Sequence, residues 1–172
     1  LPTLELKKQQ LVAEVRRVQD EIAGVQQEYD RVEQEVARWA GVFAEPVDLA
    51  PLAVVEQVRT GQDNIAGIDI PVFEDVVFVD APYDLFATPL WVDRALEVVR
   101  EQVRRRARMD VLREQEEILR EELRVTVQRI KLFEEVKIPQ AREHIRAIRI
   151  FLGDQQTAAV VRGKIAKGKI EI

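Results

Sequence analysis

The chain reads as mainly α: a long antiparallel two-helix coiled coil, a helical hairpin with a short helix and a small β-hairpin inserted at its closed end. Three observations predict this. First, Leu4, Leu11, Val15, Val18, Ile22, Val25, Tyr29, Val32, Val36, Trp39 and Phe43 recur at alternating steps of three and four, with one position skipped at Lys8. An apolar period of 3.5 residues sustained over more than five heptads is a coiled-coil seam. Second, no proline occurs between Pro2 and Pro46 or between Pro89 and Pro139, and no glycine between Gly67 and Gly153. Apart from Gly24 and Pro139, helix breakers inside the chain are thus confined to the middle and the end. Third, 33% of residues are charged and only 6% aromatic, a balance that suits long solvated helices.

The first helix is expected over residues 3–44, with Thr3 as N-cap and Gly41 and Pro46 as its end. It would be roughly 60 Å long. Residues 45–88 form the insertion. Within it, 47–60 read as a short helix with Pro51 in its first turn and Gly61 closing it. The β-branched and aromatic stretch from Ile65 to Val79 reads as two strands, about 64–70 and 72–79, with Pro71 at a turn or an edge. Residues 80–90 are a connector, with Thr88 as N-cap and Pro89 opening the next helix.

The second long helix is expected over 89–152. Its stripe begins with Leu96, Val99 and Val103, fades through Arg104–Arg108, and returns at Val111 or Leu112, Ile118, Leu119, Leu123, Thr126, Ile130 and Phe133. Pro139 should kink or split it near Val136–Lys137. Beyond lie Ile138, Ala141, Ile145, Ile148 and Leu152, then Gly153 as a stop and a basic tail over 153–172. Folded back as a hairpin, Thr3 comes level with about residue 131, so the stripe from Phe133 to Leu152 has no partner. The chain begins at Leu1, not Met. Either about twenty residues of helix belong ahead of it or another protein covers this end, since bare aliphatics forfeit about 1.5–3 kcal/mol each.

Catalytic chemistry finds no foothold. There is no cysteine and no serine, and His144 is the only histidine, on a charged helical face. The carboxylates Glu114, Glu116, Glu117, Glu121 and Glu122 sit at pairing distance from Arg113, Arg120 and Arg124, as solvated ion pairs do. Gly163 to Lys169 has the G-x-x-x-x-G-K spacing of a phosphate-binding loop, but Ile170 follows where a hydroxyl is needed. No catalytic, metal-binding or cofactor-binding residue is assigned. No apolar run reaches the length of a membrane span, and a net charge of −5 offers no footprint for nucleic acid. The run Arg104, Arg105, Arg106 and Arg108 displaces the seam for over a turn. It is either a solvated face or a partner-docking surface.

The run "VQRIKLFEEVKIP", followed by "AREHIRAIRIFLGDQQTAAVVRGKIAKGKI", resembles the D subunit of the V-type (archaeal/bacterial) ATPases, and "LPTLELKKQQL" and "FEDVVFVDAPYDLFATPLWVD" fit its bacterial branch. The resemblance covers essentially the whole chain. It implies a non-catalytic central-stalk rotor subunit, cytoplasmic and peripheral to the membrane, coupling ATP hydrolysis or synthesis to ion transport. The implied partners are the catalytic A and B subunits of a hexamer, the small F subunit of the stalk, and the subunit that connects to the membrane ring, with no nucleic acid and no membrane insertion. Ile148, Phe151, Leu152, Gln155, Gln156, Arg162, Lys164 and Lys167 would then contact the hexamer, and the arginine run the small stalk subunit. The rival expectation is a structural coiled-coil adaptor that dimerises through its exposed seam.

Overall fold

In a computed structural model the described residues are 1–40, 49–80, 89 and 91–170. They form α1 (Pro2–Ala40), a 3₁₀ turn (Ala50–Ala53), β1 (Val55–Ile65), β2 (Ile68–Phe78), α2 (Trp91–Leu132), a π turn (Phe133–Lys137) and α3 (Ile138–Ile170). The chain divides into two units, one of residues 6–125 and one of residues 1–5 with 126 onward. The expected end of the first helix at Gly41 and Pro46, Phe43, and the Thr88 cap lie outside the described residues. The helix begins one residue before its expected cap: the Leu4 and Glu5 N–H groups donate to the Leu1 carbonyl, and Pro2 takes the first helical position.

In the unit of residues 6–125, Leu11, Val15 and Val18 of α1 cluster with Leu112 and Leu119 of α2 and Ile70 of β2. Polar side chains bridge the two helices at their margins. Lys7 Nζ lies 2.8 Å from Glu122, Gln19 donates to Glu116 at 2.7 Å, Arg108 to Glu21 at 2.6 Å, and Gln102 to the Tyr29 carbonyl at 3.0 Å. Partner numbers rise along α1 as they fall along α2, so the helices meet in antiparallel order. Every seam residue from Leu4 to Val36 is buried or half-buried.

Residues 54–60, expected as helix, are extended, and β1 begins at Val55. The β-branched Val54, Val55 and Val58 and eleven residues of available partner strand outweigh the helix-start signal at Pro51. β1 and β2 pair antiparallel, Val58 opposite Val76 and Ile65 opposite Ile68. The reversal is at Ala66 (φ 53°) and Gly67 (φ 80°), not at Pro71. Two consecutive positive φ values suit the tight right-twisted hairpin turn. Asn64 braces it, accepting from the Gly67 N–H at 3.1 Å and donating to Asp69 at 2.7 Å. Pro71 is tolerated opposite Gln62 because both strands of a two-stranded sheet are edges. Gly61 ends nothing. It pairs with Val72, and a Cβ there would stand 2.6 Å from Glu74 Oε1.

The hairpin is held onto α2. Buried Gln115 donates to the Pro71 carbonyl, and Ile70 and Val76 are 2% exposed. Ile65, Ala66 and Ile68 at the tip pack against the shared core.

In the other unit, Thr126 and Ile130 are buried. The π turn falls on the residues expected to kink. Pro139 has no N–H to donate and its ring would press on the carbonyl four residues back. The Ile138 N–H therefore reaches the Phe133 carbonyl, a wider turn that relieves the contact. Gly153 does not stop the helix: α3 continues to Ile170, and Thr157 Oγ1 donates to the Gly153 carbonyl at 2.9 Å. The stretch expected as a basic tail is therefore helical.

Candidate docking surfaces

From Pro139 to Lys167, α3 is exposed throughout. From Lys131 to Lys167 only Ile138 is even half-buried. Ile148 is 57% exposed, Phe151 61%, Leu152 52%, Val160 59% and Ile165 57%. Scattered exposed aliphatics are ordinary, but a helix of 33 residues lined with them is a surface that awaits a partner.

The residues expected to contact the hexamer share this helix but not one face. At about 100° per residue, Ile148 and Leu152 continue the stripe of Ile138, Ala141 and Ile145, and Gln156, Ala159, Gly163 and Ala166 extend it. Phe151 faces away from that stripe, in line with Ala147, Ala158, Val161 and Ile165. Gln155 and Arg162 lie on one flank of the stripe, Lys164 and Lys167 on the other. α3 therefore offers two apolar stripes on opposite sides, and a seam-only reading of the sequence misses the second. Its signal was the i, i+7, i+14 recurrence of Phe151, Ala158 and Ile165.

The phosphate-loop spacing at Gly163–Lys169 lies within helical backbone. Helical N–H groups there are directed along the axis and cannot converge on a phosphate as those of a glycine-rich loop do.

The arginine run sits in a different setting. Arg104 Nε is 3.2 Å from Asp75 Oδ1, and its guanidinium lies 5.2 Å from the Phe78 ring centroid. Arg100 lies on the same ring at 5.2 Å and donates to the Leu52 carbonyl at 2.9 Å. Phe78 thus meets two cations, a contact that ties the base of the hairpin to α2. Arg105 pairs with Glu101 at 3.2 Å and reaches Glu28 of α1 at 3.8 Å. Arg108 pairs with Glu21, also of α1, and Arg106 with Asp110 on its own helix at 3.7 Å. The backbone N–H of Val76 and then Arg104 hold the Asp75 carboxyl below its ordinary pKa. Met109, directly after the run, is fully buried, as is Val92 before it. The spacing of three from Met109 to Leu112 signals that the seam resumes immediately past the arginines.

Among the described residues, no helix is long and apolar enough to cross a membrane, and no three His, Asp or Glu side chains converge as a metal site.

Comparison with known proteins matches residues 1–168 to the family model for the D subunit of ATP synthase. The V-type ATP synthase D subunit of Borreliella burgdorferi is 39% identical over 170 residues, covering 99% of this chain and 84% of that protein. Those of Chlamydia felis and Chlamydia pneumoniae are 35% and 33% identical, covering 99% and 100% of this chain and 84% of each relative.

Proposed function

The chain belongs to the D-subunit family of ATP synthases, and on that premise we propose that it is the central-stalk rotor subunit of a V/A-type rotary ATPase. In this role it catalyses nothing itself. It carries torque between a hexamer of catalytic A and B subunits and the ion-translocating membrane ring, as a peripheral, cytoplasmic part of the complex.

The observation that carries this reading is the contrast between a helix pair with a buried seam and an α3 whose large apolar side chains from Ile145 to Ile165 are bare. A shaft needs one part stiff enough to transmit a turn and another able to contact its bearing. Antiparallel α1 and α2, read as a coiled-coil hairpin, supply the first. α3 supplies the second, and at about 1.5–3 kcal/mol per buried side chain its exposed aliphatics could hold it firmly in a cavity. Rotation favours one catalytic interface over its equivalents only through unequal contact energy. A helix with an apolar stripe on two sides and different charges between them presents unequal faces.

For the small F subunit of the stalk, the arginine run remains the assigned contact. Arg106 leads it, since Arg104, Arg105 and Arg108 also bind the hairpin or α1. The subunit that connects to the ring is assigned to the insertion end.

The test is reconstitution. Mixed with the catalytic subunits and ATP, one copy of the chain should associate with each hexamer. Phe151→Ala with Ile148→Ala should weaken that association about ten-fold or more. A chain that ignores the hexamer and sediments as a tight homodimer at every concentration would instead establish the coiled-coil adaptor.

A further inference from the structure

α3 carries charge of one sign along one side. Arg142, Arg146, Arg149, Lys164 and Lys167 fall, at about 100° per residue, within an arc of about 60°, and span about 38 Å of helix. All five are exposed. Gly153 and Val160 occupy the same arc between them, with no carboxylate. The two acidic residues of the helix, Glu143 and Asp154, lie outside it, about 60° and about 80° beyond its nearer edge. Glu143 is three residues from Arg146, yet the two do not pair. Among the described residues, Arg142, Arg146, Arg149 and Lys164 have no ion-pair partner, whereas Arg104, Arg105, Arg106, Arg108, Arg113, Arg120 and Arg124 each hold a carboxylate within 3.8 Å.

The ridge also departs from the rest of the chain in sign. Seven basic and two acidic residues between Ile138 and Ile170 give this helix a formal charge of +5, in a chain of net −5. Two α3 helices joined seam to seam would set ridge against ridge if antiparallel. If parallel, they would set the ridge against the flank of His144, Gln155 and Arg162. Neither arrangement supplies a carboxylate, so the ridge selects against a second copy.

We infer that the ridge Arg142–Arg146–Arg149–Lys164–Lys167 is a docking surface for an acidic protein face that runs beside α3 within the complex. This rests on the rotor reading and adds to it which side of α3 meets carboxylates: the ridge side, not the flank of Arg162. The two apolar stripes are then left to shape-specific contact, while the ridge steers and orients the approach.

The test measures affinity of the full chain for the catalytic hexamer between about 50 mM and about 500 mM salt. The variants are Arg142→Gln/Arg146→Gln/Arg149→Gln and its Glu counterpart, with helicity checked by circular dichroism. The neutralised variant should bind about ten-fold or more weakly at low salt, with a flatter salt dependence, and approach wild type at high salt. Charge reversal should cost more. Arg162→Gln should retain the wild-type salt dependence. Wild-type affinity and salt slope in the triple variants would overturn the inference while leaving the rotor assignment standing. So would RNA, or vesicles of anionic phosphatidylserine, binding wild type as tightly as the hexamer does and losing that binding with the same variants. A wild-type chain that fails to bind the hexamer at all would remove the rotor assignment, and the ridge's partner with it.

Discussion

Arg108 and Arg149 are both arginines on long helices, and they are used in opposite ways. Arg108 holds Glu21 at 2.6 Å and helps bind α2 to α1, while Arg149 meets no carboxylate among the described residues. The same divergence holds for aliphatics. Leu119 is fully buried between the helices, and Leu152 is 52% exposed. The described residues of 6–125 largely satisfy one another: apolar side chains form a core, charges pair across elements, and the Pro71 carbonyl of the hairpin finds a donor. Those of α3 hardly do. A helix propensity high enough to form α3 says nothing about what it packs on, so the difference lies in tertiary partners alone. The two regions should therefore respond differently to the same chemical change.

The largest expected effect is truncation of the buried seam. Leu119→Ala or Leu11→Ala should destabilise the isolated chain by about 2–5 kcal/mol, read from the midpoint of urea unfolding. Ile148→Ala should shift it by less than about 0.5 kcal/mol, because that side chain buries little to lose. Its cost should emerge only as lost affinity for the hexamer. Equal destabilisation by the two kinds of substitution would break the distinction between a self-sufficient and a partner-dependent region.

Next in size is the buried amide. Gln115 is 5% exposed and donates to the Pro71 carbonyl. Gln115→Leu removes the donor and leaves a carbonyl unpaired beneath the hairpin, which should cost about 1–3 kcal/mol. Hydrogen exchange should locate the loss in β1 and β2. Protection lost uniformly across α1 and α2 would mean that the hairpin is integral to the helix pair and not a piece docked on it.

Smaller again is the cation pair on Phe78. Arg104 is 38% exposed at its side chain and Asp75 57%, so the ion pair is well screened. Arg104→Ala should cost about 0.5–1 kcal/mol, most of it from the guanidinium above the ring. A double-mutant cycle with Phe78→Leu should recover that part. Matching substitutions at Arg142 should leave stability unchanged.

Much of this division was legible in the residues. The period of Leu4 to Val36 located a seam that the structure buries, because a 3.5-residue repeat in a helix admits only one face. The bare stretch after Phe133 followed from counting helix against helix. What escaped was set by tertiary partners. Val55–Thr60 carries helix-compatible residues and becomes a strand because β2 is there to pair with it. Gly153 is a frequent stop signal, yet a glycine ends a helix only where the chain takes up a left-handed turn. No such turn occurs there: the only described residues with positive φ are Ala66 and Gly67. The ion pairs of the arginine run with Asp75, Glu21 and Glu28 escaped too, because sequence reveals the cations but not the carboxylates converging from other elements.

The smallest effect tests the electrostatic side of the comparison. Asp75 has its pKa lowered, chiefly by the Val76 N–H and then by Arg104. A carboxyl depressed in the folded state adds stability that is present above its unfolded pKa, near 3.8, and is lost as pH falls through the folded value. Wild type should therefore exceed Asp75→Ala in urea midpoint at neutral pH, and the gap should narrow steadily below about pH 4. The group is exposed, so the gap should be small and should shrink with added salt. Hairpin chemical shifts, followed by NMR over the same range, should move with the Asp75 titration while those of α3 do not. A gap that persists undiminished into acid would show that Asp75 acts through its hydrogen bond from the Val76 N–H, and that charge pairing holds the hairpin less than its buried face does.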